Sequence, residues 1–342
     1  MNPSTVAQRE AVQAALSGAL REVYGTGACL VGWDAAPLSQ RGRHRVVRYD
    51  LQARVAGLPD VQHYQCVGKF YERDEEARRV AIALRALGAA TGRAGHGVIT
   101  PRVLAHCAPL RLLLLTYEPG QSVIAAIGQN GGVVLPAMGR ALAALHALPV
   151  ATGAISSPAA LTGDVQRRVD DLCARFPGEA PALRHTLSDL LRRVPAAPAA
   201  PSFLHGDLGP AQLRWRSGDV VFLDFDACTR GDRAFDLGNL LTQLRRLTLR
   251  KPGKLPPFAG VRRDLLDAYQ RSSPDDPGLV HRIAWYERAV LVRKIHCLAF
   301  DTTRHTAADA IRQRQQEAIS LLREFEPVVR HAVSEVPRIH GT

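Results

Sequence analysis

Three polar residues in the second half of the sequence have types and a spacing that could do chemistry. Asp207 follows His205 and Gly206, Gln212 comes five residues later, and Asp224 comes twelve residues after that, at the end of an apolar segment. A carboxylate can accept the proton of a hydroxyl group. An amide oxygen and a second carboxylate can hold Mg²⁺ on a nucleotide. Together these groups are the minimum for phosphoryl transfer, which needs mostly positioning and charge neutralisation.

The surrounding sequence makes this pattern more specific than the tripeptide His-Gly-Asp alone. H-G-D-x4-Q is followed by a hydrophobic strand that ends in D-F-D, and then by G-D-x3-D-L. Asp226, Asp232 and Asp236 therefore join Asp207 and Asp224 within 30 residues. The alternative is a purely structural loop with buried acids, which must account for this density of aspartates.

A lysine far upstream is a second candidate. Lys69 is the only lysine in the first 250 residues and lies in a strand-like segment, residues 63–71. The helix predicted at 74–88 begins with three acids, among them Glu76, where the helix dipole favours negative charge. A lysine on a strand can hold phosphate oxygens while a helix carboxylate holds the ammonium group. The alternative is a surface lysine next to helix-capping acids.

The periodicity of apolar residues predicts a two-part organisation. An amphipathic helix at 5–24 precedes strands at 28–33, 43–55, 63–71, 99–107 and 110–117, with one helix at 74–88 among them. Beyond "YEPGQSV" (117–123) the pattern is helical, at 134–147, 161–176, 180–194, 234–249, 260–271, 279–300 and 306–326. Two short strands flank the turn "RSGD". Such a pattern predicts two lobes with a cleft between them.

Composition excludes several classes of protein. The net charge is +12, but 40 of the 44 basic residues are arginine and no basic run is interleaved with aromatic residues, which argues against nucleic-acid binding. No apolar run approaches the roughly 18 residues of a membrane span. The N-terminus is polar, unlike a secretory signal. Six scattered cysteines without a C-x-x-C pair indicate a reducing, cytoplasmic location.

With these motifs in place, the sequence resembles the aminoglycoside phosphotransferase and choline kinase superfamily. The resemblance is strongest over 203–241 and plausible over 63–120. It implies an α+β, protein-kinase-like fold, with an antiparallel-sheet lobe at 1–118 that binds nucleotide and a mainly helical lobe at 119–342. It also implies ATP between the lobes, Asp207 as the catalytic base, and Gln212 and Asp224 as Mg²⁺ ligands.

The same resemblance assigns supporting residues. Lys69 would bind the α- and β-phosphates and pair with Glu76, or with Glu75 if the helix register differs by one residue. "LLLLTYEPG" looks like the hinge of the family, so the backbone of Thr116 and Glu118 would meet the adenine, with Leu115 behind it. His205 would brace the catalytic loop, Asp236 would accept its backbone hydrogen bonds, Asp232 would be structural, and Asp226 would lie near the metals.

Two features depart from the common family pattern. Most relatives carry Asn where this chain has Gln212, which is longer by one carbon–carbon bond, about 1.5 Å. A branch of the superfamily with a poorly known substrate looks similar at this position. The second departure is "DAAPLSQRGRHR" (34–45), which lacks G-x-G-x-x-G and leaves the residues that cover the phosphates unassigned.

The acceptor is predicted from charge. Residues 245–342 hold 18 Lys and Arg against 11 Asp and Glu, which argues against a polycationic drug and for a sugar or sugar-like alcohol. The sequence thus predicts an ATP- and Mg²⁺-dependent small-molecule phosphotransferase that is a monomer or homodimer and binds neither nucleic acid nor membrane. Two alternatives remain: an aminoglycoside or macrolide phosphotransferase, and a nucleotide-binding pseudokinase.

Overall fold

The structure is a computed structural model that describes residues 3–39, 44–94, 98–153, 155–196, 200–301 and 308–323. The strands are β1 (Cys29–Ser39), β2 (Arg45–Arg54), β3 (Gln62–Phe70), β4 (Val98–Ile99), β5 (Val103–Cys107), β6 (Leu112–Thr116), β7 (Gln121–Ser122), β8 (Ser202–Leu204), β9 (Leu213–Arg216), β10 (Asp219–Phe222) and β11 (Thr229–Gly231). The helices are α1 (Pro3–Tyr24), α2 (Asp74–Ala94), α3 (Val123–Ala147), α4 (Pro158–Arg175), α5 (Ala180–Arg192), α6 (Ala234–Arg250), α7 (Phe258–Arg271), α8 (Leu279–Phe300) and α9 (Ala308–Leu322).

An antiparallel sheet forms the N-terminal lobe, with strand order β1-β2-β3-β6-β5. Because side chains alternate between the faces of a strand, Leu112 and Leu114 pack with α1 on the outer face. Leu113 and Leu115 join the main core with α2 on the other face. Lys69 pairs with Leu113 across the ladder and therefore lies on this inner face, toward the C-terminal lobe.

The C-terminal lobe is mainly helical, as the sequence predicts, and two close helix contacts organise it. In α3, Gly139 lies so close to α7 that a methyl group there would come within 2.3 Å of the Leu265 carbonyl oxygen. In α6, Gly238 lets the Tyr286 side chain of α8 approach in the same way. Glycine at these points allows α3 to pack closely against α7, and α6 against α8.

The loops that contain Asp207 and Asp224 follow short strands. The hairpin β9–β10 belongs to a small sheet of order β4-β10-β9-β7, and β8 pairs with β11. The loops after β8 and β10 hold the Asp207 and Asp224 regions, so pairing among these strands sets their relative position. Among the described residues, no helix has the length and apolar composition needed to cross a membrane.

The predicted α+β, two-lobed architecture is confirmed, with differences in detail. β1 runs to Ser39, well beyond the predicted end at residue 33, because residues 34–39 pair with β2. The predicted strand 99–107 is two strands, and β4 pairs in parallel with β10 of the other sheet. Helix α3 begins at Val123 rather than residue 134, since two helical segments meet at Asn130, whose φ/ψ of −152°/64° is not helical.

Two of the predicted segments extend beyond what the structure describes. Residues 40–43 of the loop expected to cover the phosphates lie outside the described residues, as do both ends of the helix predicted at 306–326.

Candidate active site

The Asp236 carboxylate holds the loop that contains Asp207 through backbone hydrogen bonds. The backbone N–H groups of His205 and Gly206 donate to the two oxygens of this carboxylate, at 2.7 and 3.0 Å. Gly206 has φ +83°, and a methyl group on it would lie 2.0 Å from the Ala227 carbonyl oxygen, so only glycine fits. The predicted role of Asp236 as acceptor for the catalytic loop is confirmed.

The carboxylate of Asp236 is fully buried. Burial alone would raise its pKa, but a hydrogen bond from His146, the positive potential of the histidines and the Gly206 N–H hold the pKa below its ordinary value. His146 is itself held by the Tyr269 hydroxyl at 2.8 Å. A carboxylate that stays ionised at this point keeps the loop in one conformation.

His205 joins the two loops of the site. Its Nε2 lies 2.8 Å from the carbonyl oxygen of Leu223, and therefore donates to it. Leu223 immediately precedes Asp224, and its own backbone N–H donates to the Gln212 carbonyl oxygen at 2.8 Å. The predicted bracing role of His205 is confirmed, and the loop of Asp207, the turn of Gln212 and the end of β10 form one connected unit.

Asp207 itself is exposed at the cleft. Protein atoms around its carboxyl group displace part of the hydration and so raise its pKa, and the nearby Asp224 adds to this. His205, a side-chain hydrogen bond from Asn239, and Arg293 act in the opposite direction. A carboxylate with a raised pKa, open to solvent and held by one amide, has the properties of a general base.

The side chain of Gln212 turns back over the catalytic loop. A methyl group on Gly209 would lie 3.1 Å from the Gln212 amide oxygen, so this oxygen lies directly over the glycine. Because residue 209 is a glycine and has no side chain, there is room for Gln212, whose side chain is longer than that of Asn. The structure places an amide oxygen beside the loop of Asp207, and binding of Mg²⁺ by Gln212 stays a prediction.

Asp224 lies two residues after β10, in the left-handed region of backbone conformation. This region, where its φ and ψ are 67° and 66°, is uncommon for residues other than glycine and occurs often at functional sites. Its Oδ1 accepts from Lys69 Nζ at 2.5 Å, and Asp226 Oδ2 lies 2.5 Å from the same nitrogen. The structure thus brings Lys69 and Asp224 together, 155 residues apart in the chain.

Asp226 is surrounded by further donors. The Tyr71 hydroxyl donates to its Oδ1 at 2.9 Å, and His44 Nε2 lies 3.1 Å from its Oδ2. Arg79 of α2 donates to its backbone carbonyl oxygen at 2.5 Å. His44 comes from the segment between β1 and β2, so the N-terminal lobe reaches the acidic loop at several points.

The acids at the start of α2 differ in burial. Glu76 is half-buried and accepts from Arg73 at 2.6 Å, whereas Glu75 is exposed. Lys69 forms ion pairs with Asp224 and Asp226. Pairing of Lys69 with Glu76 stays a prediction, and the burial favours Glu76 over Glu75 for it.

The predicted hinge side chains bind one another. Thr116 Oγ1 donates to Glu118 Oε1 at 2.7 Å, and Arg216 holds the other oxygen of Glu118 at 3.0 Å. The Thr116 backbone N–H donates to the Arg102 carbonyl oxygen. Contact of Thr116 with an adenine, which stays a prediction, is thereby restricted to its carbonyl oxygen.

The geometry is a carboxylate, an amide and a lysine-bound carboxylate at a cleft between a sheet and a helical lobe. The sequence model of the phosphotransferase enzyme family (APH) matches residues 60–279, well over half of the chain and all of these groups. The chain belongs to this phosphotransferase family. A comparison with curated protein sequences finds no match.

Solved structures of phosphotransferases share the fold. A macrolide 2'-phosphotransferase from Brachybacterium faecium is 20% identical, with 87% of this chain and 97% of that chain covered and a TM-score of 0.55. A choline/ethanolamine kinase family protein from Mesorhizobium loti is 16% identical (92% and 96% covered, TM-score 0.57). An aminoglycoside phosphotransferase in ternary complex with AMP-PNP and hygromycin B is 12% identical (90% and 98% covered, TM-score 0.58).

The site of this family member includes residues that the sequence did not indicate. Asn239, Tyr71, His44 and Arg79 all contact the predicted groups. Asn239 follows Asp236 by three residues, which puts both on one face of α6, so the D-x-x-N spacing was an available signal. The other three come from distant segments, and no local pattern marks them.

Proposed function

We propose that this chain is an ATP- and Mg²⁺-dependent phosphotransferase that moves the γ-phosphate to a hydroxyl group of a small molecule, a sugar or sugar-like alcohol. The observation that carries the proposal is the solvent-open carboxylate of Asp207, held by Asn239 and braced by His205 beside the Lys69–Asp224 pair. This arrangement supplies a base and phosphate-binding groups in one cleft.

In the proposed reaction, Asp207 accepts the proton of the acceptor hydroxyl. The oxygen of that hydroxyl forms a bond to the γ-phosphorus, the bond from the γ-phosphorus to the bridging oxygen of ADP breaks, and ADP leaves. The raised pKa of Asp207 favours proton acceptance as the hydroxyl oxygen attacks. Lys69 moves from the carboxylates to the phosphate oxygens of the nucleotide.

The residues present fit a magnesium ion. Asp224 is half-exposed and supplies carboxylate oxygens, and Gln212 supplies an amide oxygen, which is the hard-oxygen chemistry that Mg²⁺ prefers. Mg²⁺ commonly binds through one or two protein groups together with substrate phosphates. When bound, the ion would neutralise charge on the transferred phosphoryl group.

An antibiotic acceptor is the second candidate. The macrolide 2'-phosphotransferase and the hygromycin B complex among the similar structures favour it. Against a polycationic aminoglycoside stands the excess of basic residues in the C-terminal region. A pseudokinase is the third candidate, and it predicts nucleotide binding without transfer.

The test is transfer of labelled γ-phosphate from ATP with Mg²⁺ to pooled acceptors: sugars, amino sugars, amino alcohols, nucleosides, aminoglycosides and macrolides. Label in one pool is expected, and Asp207→Asn should reduce turnover by about a hundredfold or more while nucleotide binding is retained. Turnover unchanged in Asp207→Asn would remove this residue from the role of base. Nucleotide binding with no label in any pool would favour the pseudokinase.

A further inference from the structure

We propose that His44 and Tyr71 bind a phosphate group of the nucleotide together with Lys69, and that the carboxylate of Asp226 competes with this phosphate group for the same three donors. The inference rests on the proposed function and makes it more specific. It names two phosphate-binding residues, and it makes Asp226 an internal competitor of the nucleotide.

Three donors of the N-terminal lobe converge on the carboxylate of Asp226, which belongs to the C-terminal lobe. Lys69 Nζ lies 2.5 Å and His44 Nε2 lies 3.1 Å from its Oδ2, and the Tyr71 hydroxyl donates to its Oδ1 at 2.9 Å. His44 directly precedes β2 and Tyr71 directly follows β3, and these ends of the two strands are paired. An ammonium, an imidazole and a hydroxyl group around one anion are donors that also suit a phosphate group.

Packing holds the rings of His44 and Tyr71 in place. Only 12% of the His44 side chain is exposed, and its ring centre lies 4.5 Å from that of Tyr71, which is buried in the main core. The second ring nitrogen of His44, Nδ1, is buried and has no hydrogen-bond partner among the described residues. The polar atoms of both side chains that do bind, Nε2 and the hydroxyl, therefore face one anion from fixed positions.

The carboxylate of Asp226 can leave without a change in the path of its loop. Phe225–Ala227 form one short helical turn, in which the Asp226 carbonyl oxygen accepts from Arg79 at 2.5 Å. The Phe225 carbonyl oxygen accepts from the Cys228 N–H at 3.1 Å. These backbone contacts do not involve the carboxylate, and 25% of the Asp226 side chain is exposed. A change of side-chain rotamer would release the carboxylate and leave the three donors where they are.

A phosphate group uses these donors more fully than a carboxylate does. Because a carboxylate has two oxygens, Lys69 and His44 share one of them, Oδ2 of Asp226. A terminal phosphate group has three acceptor oxygens and close to two negative charges at neutral pH, so each donor can have an oxygen of its own. The segment 34–45, which lacks the glycine motif, would thus cover the phosphates through His44.

Calorimetric titration with AMP-PNP in EDTA tests the competition without a contribution from metal binding. Asp226→Asn keeps the shape of the side chain and removes the competing charge, so it should bind AMP-PNP roughly tenfold more tightly than the wild type. Asp219→Asn, which removes an exposed charge at the start of β10, is the matched control and should bind as the wild type does. Unchanged or weaker binding in Asp226→Asn would refute the competition.

His44→Phe and Tyr71→Phe test the donors, and both are measured together with Asp226→Asn. In the wild type a donor exchanges Asp226 for phosphate, so its removal has a small net effect on affinity. In the Asp226→Asn protein each change should weaken AMP-PNP binding by roughly tenfold and AMP binding by much less. An equal loss for ADP would assign the donors to the β-phosphate, and a loss for AMP-PNP alone would assign them to the γ-phosphate.

His281→Phe and Tyr24→Phe, at exposed positions on α8 and α1, are the controls and should leave these affinities unchanged. If His44 and Tyr71 only brace Asp226, their removal from the Asp226→Asn protein would leave AMP-PNP binding unchanged. That result, or an equal loss for AMP, would overturn the inference and leave the proposed function intact. A wild type that binds none of the three nucleotides, with or without Mg²⁺, would overturn both.

Discussion

The side-chain amide of Asn239 is the direct partner of the Asp207 carboxylate. Its N–H group stabilises the charged form and therefore lowers the pKa of Asp207. In Asn239→Ala we expect that pKa to rise, so that the acidic limb of the kcat/KM profile moves to higher pH and activity below neutrality falls. The measurement is the pH dependence of labelled phosphate transfer.

Thr242→Val is the control for this change. Thr242 is buried on the same helix and donates to the Glu287 carbonyl oxygen, away from Asp207. It should leave the position of the acidic limb unchanged. An unshifted limb in Asn239→Ala would mean that Asn239 does not set the protonation of the base.

The contact between Gly209 and Gln212 gives a second prediction for single residues. A methyl group at residue 209 would lie 3.1 Å from the amide oxygen of Gln212, which would have to move by a few tenths of an ångström. Because Mg²⁺ tolerates little change in geometry, Gly209→Ala should raise the Mg²⁺ concentration needed for half-maximal transfer by roughly tenfold.

The shorter side chain of Gln212→Asn should relieve the contact, so the double variant should need less Mg²⁺ than Gly209→Ala alone. If Gly209→Ala has the wild-type Mg²⁺ dependence, the amide oxygen of Gln212 is not placed by this contact. Loss of activity with unchanged Mg²⁺ dependence would assign Gln212 another task.

Sequence patterns indicated residues that are close together in the chain better than contacts between distant segments. Asp207, Gln212 and Asp224 follow from spacing within 18 residues, because local chain geometry keeps such residues close. Contacts of Lys69 with Asp226, and of His44 and Tyr71 with the same carboxylate, join segments over 150 residues apart. Only the packing of the two lobes creates these contacts, and no pattern in a single sequence carries that information.

Among the elements, regular helices were predicted well and irregular ones poorly. α8 matches its predicted range of 279–300, since an uninterrupted apolar periodicity marks it. α3 begins eleven residues before its predicted start, because Gly-rich sequence and a non-helical Asn130 hide its first part. β4 has only two residues, and its pairing with β10 depends on a distant strand.

The packing of α3 against α7 makes a prediction about helix stability. Gly139 and Gly132 lie in the same helix, and alanine normally stabilises a helix interior by about 1 kcal/mol over glycine. At Gly139, however, the methyl group would lie 2.3 Å from the Leu265 carbonyl oxygen. A methyl group at Gly132 would have no other atom within 4 Å. Gly139→Ala should therefore lower the free energy of unfolding by about 1–3 kcal/mol.

Gly132→Ala is the matched control and should raise the free energy of unfolding slightly. Urea titration of both variants measures the difference. A stabilised Gly139→Ala would show that α3 and α7 can separate at no cost, and that close backbone packing does not fix the base of the cleft.

For the whole molecule, Lys69 connects the sheet of one lobe with the acidic loop of the other. Its ammonium group lies 2.5 Å from oxygens of both Asp224 and Asp226, so it neutralises carboxylates that a metal–nucleotide complex would need. Under the proposed function, binding of that complex would exchange the Lys69 contacts: Asp224 would bind the metal, and the ammonium group would bind phosphate oxygens. Lys69 is thus one of the side chains that join the two lobes, together with Tyr71 and Arg79.

Lys69 is proposed to bind phosphate oxygens and to compete with the metal for Asp224 and Asp226. Thermal unfolding of Lys69→Met with and without ligands separates these two effects. A ligand at a hundred times its Kd stabilises the folded state by about 2.7 kcal/mol, and the variant should lose most of this gain for AMP-PNP with Mg²⁺. Mg²⁺ alone should stabilise the variant more than the wild type, because Asp224 and Asp226 no longer share a competing cation. Lys254→Met, an exposed lysine, should behave as wild type in both. An equal nucleotide gain in Lys69→Met would place Lys69 outside the phosphate site, and an equal Mg²⁺ gain would show that these carboxylates do not bind the metal.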